Sequence, residues 1–256
     1  MIPIMIRNLK IGEGIPKICV PIVGKTAGEI FEVAKLIKTL PADIVEWRAD
    51  WYEDVSDSEK VEQVLSELRN ILEEIPILFT FRTAEEGGEQ KIDDATYFTL
   101  NKAVADTKYA DLIDVEIYSK EAIALELICF IHESGGKVIA SNHDFEKTPE
   151  KAEIVARLQK MQELGADILK IAVMPNCEED VHTLLTATKE MAKESKQPLV
   201  TMSMSEMGMI SRTSGEAYGS AITFGAAGKT SAPGQIPVAE LKELLEQFHE
   251  TLIKKG

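Results

Sequence analysis

Short apolar runs rich in Val and Ile alternate with longer amphipathic stretches from one end of the chain to the other, the pattern of repeated βα units. Eight runs read as strands: 17–22 (KICVPI), 43–48 (DIVEWR), 76–82 (PILFTFR), 111–117 (DLIDVEI), 137–143 (KVIASNH), 166–173 (ADILKIAV), 198–204 (PLVTMSM) and 221–225 (AITFG). Between them apolar positions recur at helical spacing, as in the stripe Val61, Val64, Leu65, Leu68, Ile71 and Leu72. Gly135-Gly136 and Gly165 stand where helices should stop. Thr148-Pro149-Glu150 reads as an N-cap followed by proline at the first helical position. No Pro/Gly/Ser-rich linker interrupts the alternation, so residues 1–256 are expected to form one domain. Eight βα units in a chain of this length predict an α/β fold of the (β/α)₈ TIM barrel type. Ahead of the first strand, two short alternating pieces around Asn8 predict a β-hairpin closing the barrel's N-terminal floor.

A doubly wound open sheet has the same alternation. The charged side chains in mid-run decide against it, because a sheet covered on both faces by helices has no place for them, whereas a barrel offers an inward direction and an open mouth. Composition narrows the picture further. The 256 residues carry 43 Asp and Glu against 28 Lys and Arg, a net charge of −15, the wrong sign for a nucleic-acid binder. No apolar stretch is long enough to span a membrane, and MIPIMIRNLK does not read as a secretory signal. Cys19, Cys129 and Cys177, odd in number and widely spaced, predict reduced thiols and a cytoplasmic protein.

Side chains alternate along a strand, and that parity sorts the candidates. In 166–173, Lys170 shares a face with Ala166, Ile168 and Ala172, which points it inward with room around its amine. Desolvation and nearby cations would leave such a lysine uncharged and nucleophilic, able to form an imine. Glu46 and Arg48 share a face of the second run and Arg82 ends the third, near the end of the strands where barrel active sites lie. They could form a structural ion-pair cluster or grip a small polar substrate. Asp114 and Glu116 share a face of the fourth run without an evident role. His143 is the one histidine at a strand end; His132, His182 and His249 fall in helical patterns. Glu85, Glu86 and Glu89 form an acidic loop after the third run, from which a carboxylate could orient an imidazole. Gly24-Lys25-Thr26 and Gly228-Lys229-Thr230 lack the upstream glycine of a P-loop, and no zinc motif is present, so neither metal nor cofactor is expected.

These segments resemble the type I 3-dehydroquinate dehydratases, Schiff-base enzymes of the shikimate pathway that leads to chorismate and the aromatic amino acids. The resemblance rests on Glu46-Trp47-Arg48, Phe79-Thr80-Phe81-Arg82, Glu86-Gly87-Gly88-Glu89, Ser141-Asn142-His143-Asp144-Phe145, Lys170-Ile171-Ala172-Val173-Met174-Pro175, Gly208 to Arg212 and Ser231-Ala232-Pro233-Gly234-Gln235, and so covers nearly the whole chain. It implies a cofactor-free hydro-lyase that converts 3-dehydroquinate to 3-dehydroshikimate by syn elimination. It implies that Lys170 forms the imine, that His143 moves the protons and that Glu86 holds His143, with Asp114 in support. Arg212 would take the substrate carboxylate, and Glu46, Arg48, Arg82, Ser231 and Gln235 its hydroxyls. It also implies a lid over 229–235 and a homodimer. Pro21 departs from the family pattern, since some relatives carry a serine there that reaches the substrate. The residue reading leaves three rivals: a class I aldolase using the same lysine, a metal-dependent sugar isomerase or lyase ligated by Glu46, Glu116 and His143, and a barrel that binds without catalysis.

Overall fold

The period-two alternation fixes where the strands lie, and the computed structural model, which describes residues 1–228 and 233–254, contains all eight of the expected ones. A hairpin of β1 (Ile4–Ile6) and β2 (Leu9–Ile11) comes first, antiparallel, with Ile6 opposite Leu9. The parallel strands are β3 (Lys17–Ile22), β4 (Ile44–Arg48), β5 (Ile77–Thr80), β6 (Leu112–Glu116), β7 (Lys137–Asp144), β8 (Ile168–Val173), β9 (Leu199–Ser203) and β10 (Ile222–Ala226), with the short β11 (Ile236–Pro237) beside β10. From β3 to β9 each strand pairs with the next in the chain, and β10 returns to β3. A single bridge, Leu199 to Ser220, and the bond from Ala221 N to the Leu199 carbonyl (2.7 Å) join β9 to β10 and close the (β/α)₈ barrel.

Helices fill the connections: α1 (Ala27–Ile37), α2 (Ser58–Leu72), α3 (Asp94–Thr107), α4 (Glu121–Glu133), α5 (Lys151–Glu163), α6 (Glu178–Glu194), the short α7 (Met209–Thr213) and α8 (Gly215–Tyr218), and α9 (Val238–Ile253). Their apolar stripes pack on the outward-facing strand residues. Val61, Val64, Leu65, Leu68 and Leu72 of α2 are buried in the same core as Val45, Trp47 and Phe79. The α5 start differs from the sequence reading. The helix begins at Lys151 with Glu150 in the cap position, because the Thr148 hydroxyl donates to the Met174 carbonyl (3.0 Å) instead of capping.

Reading inward positions two at a time up each strand explains the interior. The lowest are apolar: Cys19, Ile44, Leu78, Leu112, Ile139, Ile168, Val200 and Ile222, with Ile6 and Ile11 of the hairpin packed beneath them. The hairpin is therefore the barrel floor. Two residues further along the same strands come Pro21, Glu46, Thr80, Asp114, Ser141, Lys170, Met202 and Phe224, and two further again Arg48, Arg82, Glu116, His143, Ala172 and Met204. The register steps by two residues between some neighbours, as where Glu46 faces Leu78 and Lys170 faces Val200, which is the shear of a closed barrel. An apolar base thus carries a polar upper interior, opening at the C-terminal ends of the strands.

Three aspartates pin the register at the lower rim. Asp43, Asp111 and Asp167 each precede a strand in an Ala-Asp-(Ile/Leu) step, and each accepts a backbone N–H from the first or second residue of the preceding strand, Ile18 (2.8 Å), Ile77 (2.9 Å) and Val138 (2.9 Å). Pro21 is tolerated within β3 because the ladder to β10 ends at Cys19.

Candidate active site

The polar upper interior is an ion network built strand by strand. On β8, Lys170 is buried, and its Nζ lies 3.5 Å from Asp114 Oδ2, 3.7 Å from Glu46 Oε1 and 4.6 Å from the centre of the Phe224 ring. Sequence reading expects cations around this amine. The structure places two carboxylates nearest, because β4 and β6 send Glu46 and Asp114 inward at its level. A proton acceptor therefore stands beside the amine before any substrate arrives.

Arg82 is the hub of the network. It follows the end of β5 and continues the strand's alternation, and its guanidinium meets Asp114 Oδ2 (2.9 Å), Glu116 Oε1 (2.8 Å) and Ser141 Oγ (3.0 Å). Burial pushes Asp114 up, but Arg82, Lys170 and the Ser141 hydroxyl, which donates to Asp114 Oδ1 at 2.6 Å, outweigh it and hold the carboxyl below its usual range. Cutting this hub removes the counter-charge of buried Glu116 and one of the two cations beside Asp114, so Arg82→Leu is expected to destabilise the fold by about 3–5 kcal/mol. Urea unfolding checks this; a loss under about 1 kcal/mol would mean that the acids relax to water.

His143 stands at the end of β7, two residues beyond Ser141, which pairs with Lys170. The two inward side chains therefore rise from neighbouring strands, one step apart along the barrel axis. Glu86, on the turn after β5, accepts the His143 backbone N–H (2.8 Å) and meets the imidazole Nδ1 (3.0 Å). Burial, with Arg82, Lys170 and Arg48 nearby, holds the imidazole well below its ordinary value, so it is neutral near pH 7. Burial and the charge of Glu116 push Glu86 up to about 8, against the opposing pull of Arg82 and of the N–H donors from Asn142 and His143.

Arg48 is clamped in a bidentate bond to the buried Asp50 (2.7 and 2.8 Å) and presents its remaining face to the cavity. Glu46 accepts from the Thr80 hydroxyl (2.9 Å). Arg212, on α7, is buried, and its Nη2 donates to the Pro233 carbonyl (3.0 Å). No carboxylate of the described residues lies within ion-pair reach of it. Burial lowers it to about 10. A dehydrated guanidinium without a counter-charge is a ready receiver for an anion.

Glu46, Arg48, Arg82, Glu86, His143, Lys170, Arg212 and Gln235 all line one cleft, walled by Met202, Met204, Phe224 and Phe145. Asp114 lies just beneath, bonded to the members above it. Ser231 and the rest of 229–232 lie outside the described residues. Glu46, Glu116 and His143 are not gathered as a ligand set: each is engaged by different partners, Thr80, Arg82 and Glu86 respectively. Two members escaped sequence reading. Asp50 anchors Arg48 from a short turn that shows no periodicity, and Asn142 faces away from the barrel axis, where parity predicts an apolar residue.

Comparison with known proteins points the same way. A family model described as Type I 3-dehydroquinase matches residues 18–251. The 3-dehydroquinate dehydratase of Listeria welshimeri is 54% identical over 247 residues, 96% of this chain and 98% of that protein. The Clostridium botulinum protein of the same name is 54% identical over 250 residues, 97% and 98%. Among solved structures, the type I 3-dehydroquinate dehydratase of Clostridium difficile with covalently modified comenic acid superposes with a TM-score of 0.95 at 52% identity, covering 97% of this chain and 98% of that one. The Geobacillus kaustophilus enzyme gives 0.93 at 38%, covering 97% and 96%.

Proposed function

Since the chain belongs to the type I 3-dehydroquinase family and is a hydro-lyase acting on 3-dehydroquinate, we propose that it works through an imine on Lys170, with His143 as the proton carrier. The observation that carries this reading is the pairing of Ser141 with Lys170, which raises a lysine and a neutral imidazole side by side from β8 and β7 into one cleft. The covalently modified ligand in the Clostridium difficile relative is consistent with covalent chemistry in such a site.

The steps balance as follows. Lys170 passes a proton to the adjacent Asp114 or Glu46 carboxylate and attacks the ring ketone, whose oxygen leaves as water with one proton from the amine and the one returned by the carboxylate, so that a protonated imine is formed. The imine withdraws electrons from the neighbouring carbon. The bare Nε2 of His143 takes a proton from that carbon, giving an enamine. Collapse of the enamine expels the β-hydroxyl, to which His143 returns the proton, and a second water leaves. Hydrolysis of the remaining imine releases 3-dehydroshikimate and restores the amine. Arg212 holds the substrate carboxylate, while Glu46, Arg48, Arg82, Gln235 and Ser231 receive the hydroxyls. The reaction supplies the route to chorismate and the aromatic amino acids, and we place it in the cytoplasm in a homodimer.

An ultraviolet assay for the conjugated enone product, run with and without a chelator, tests the activity. Steady enone formation that chelation does not slow is expected. Complete loss on chelation, restored by a divalent metal, would favour a metal-dependent lyase instead.

Two further outcomes follow from the geometry. Arg212→Ala removes the only contact assigned to the carboxylate, a charged hydrogen bond worth about 1.5–3 kcal/mol, so KM should rise about 10- to 100-fold. An unchanged KM would put the carboxylate elsewhere. Glu86 holds Nδ1 of His143, and the base is competent only once that carboxyl has lost its proton. A raised group keeps its proton to higher pH, so kcat/KM should fall as the pH drops below about 8. A profile flat down to pH 6 would contradict the assignment of Glu86.

A further inference from the structure

We infer that Arg157, on the outer helix α5, and Asn142, on the helix-facing side of β7, are positioning residues that set which nitrogen of His143 is the base. The inference rests on the reading of Glu86 and His143 given above. Asn142 is buried among positions that parity assigns to apolar side chains; its strand neighbours on that face are Val138 and Ala140, both fully buried. A polar residue there costs stability unless its amide is satisfied at both ends. It is satisfied asymmetrically. Arg157 Nη1 donates to Asn142 Oδ1 at 2.8 Å, and Asn142 Nδ2 donates to Glu86 Oε1 at 3.3 Å.

The chemistry of the guanidinium makes that orientation obligatory. Arginine has donors only, so the amide oxygen must face Arg157 and the NH₂ must face Glu86. Arg157 is itself held: Nε donates to Glu153 (2.9 Å), its guanidinium stacks 5.4 Å from the Tyr118 ring centre, and Asp144 lies 3.8 Å away. Oε1 of Glu86 takes the Asn142 amide, while Oε2 takes the His143 backbone N–H (2.8 Å) and faces Nδ1 (3.0 Å), so a proton exchanged between the carboxyl and the imidazole moves on the Oε2 side. The shared proton therefore lies on the Oε2–Nδ1 line. When the pair loses one proton, the remaining one stays on Nδ1 and Nε2 is left bare as the base. If the amide turned over, its oxygen would face Oε1, the carboxyl proton would be drawn to that side, and the imidazole would lose the partner that fixes its tautomer.

The charged groups facing this pair are Arg82 from the end of β5 and Glu116 from β6, which act on Glu86, and Arg82, Arg48 from β4 and Lys170 from β8, which act on His143. None of them is changed by substitution at 157 or 142, so the relay can be tested separately.

The test is the pH dependence of kcat and kcat/KM for Arg157→Ala, Arg157→Lys and Asn142→Asp, with Glu86→Gln as reference and thermal unfolding run on each. Asn142→Asp keeps the shape but sets an acid against Oε1, and Arg157→Ala frees the amide to turn. Both should move the acid limb of kcat/KM up by about one pH unit and lower kcat about 10- to 100-fold with little change in KM. Lysine is also a pure donor, so Arg157→Lys should recover most of what Arg157→Ala loses. Borohydride trapping of substrate on Lys170 should persist in all of them. A lowered unfolding midpoint with the acid limb unmoved would show a structural role only and overturn the inference. If Glu86→Gln shifts the limb and Arg157→Ala does not, the inference alone fails. If Glu86→Gln leaves the limb in place, the reading of the dyad fails first and takes the inference with it.

Discussion

Lys170→Met is expected to lower kcat by at least about 10⁴-fold, a loss of roughly 5.5 kcal/mol of transition-state stabilisation, while the protein still folds. The side chain is buried, and a methionine of similar length fills the same space beside Phe224 and Ala172. What it removes is the nucleophile and the electron sink that follows from it. Without an imine the ring ketone must acidify its neighbouring carbon unaided, and no other buried lysine among the described residues lines the cleft to replace it. The change also unpairs Asp114 and Glu46 from the amine, but Arg82 and Ser141 still satisfy Asp114 and Thr80 still satisfies Glu46. A far-ultraviolet spectrum and unfolding curve near those of the parent chain, together with lost turnover, are the expected pair of results. Turnover within tenfold of the parent would mean that no imine is needed.

His143→Ala should separate binding and covalent capture from proton transfer. Its loss removes a general acid and base, worth about 10² to 10⁴ in rate, and leaves Lys170 in place. Enone formation collapses, but the imine still forms and is still trapped by borohydride. Glu86 then keeps Asn142, the backbone N–H of residue 143 and Arg82 at 3.7 Å. Comparable losses of trapping and turnover would assign His143 to imine formation instead of elimination.

Most of this architecture is legible in the chain because strand parity is a strict physical rule. A period of two converts Ile168, Lys170 and Ala172 into one inward row, and the same rule applied to Ile44, Glu46 and Arg48 or to Leu78, Thr80 and Arg82 produces an apolar base under a charged mouth. Charges in mid-run are tolerable only where a barrel gives them partners, which is why they decide the fold as well as the site. Parity fails where function depends on what lies off the strands. Asp50 reaches Arg48 from a short turn, and its role depends on a tertiary approach that no local spacing encodes. The Thr148 hydroxyl finds the Met174 carbonyl across the gap between two loops, so a sound capping signal is overridden by a long-range bond. Asn142 reads as an exception on an apolar face, and only the positions of Arg157 and Glu86 explain it. The environment of Lys170 was also hidden. Spacing within one strand shows its small neighbours, whereas the two carboxylates beside it come from β4 and β6.

The central claim is a covalent bond between one amine and the substrate ketone. Incubating the protein with 3-dehydroquinate and sodium borohydride, digesting it and mapping the modified peptide by mass spectrometry measures that bond directly. The account predicts one reduced adduct per chain on Lys170, concurrent with irreversible loss of activity. An unmodified Lys170 peptide under conditions where the enzyme turns over, or an adduct carried by another lysine, would contradict it.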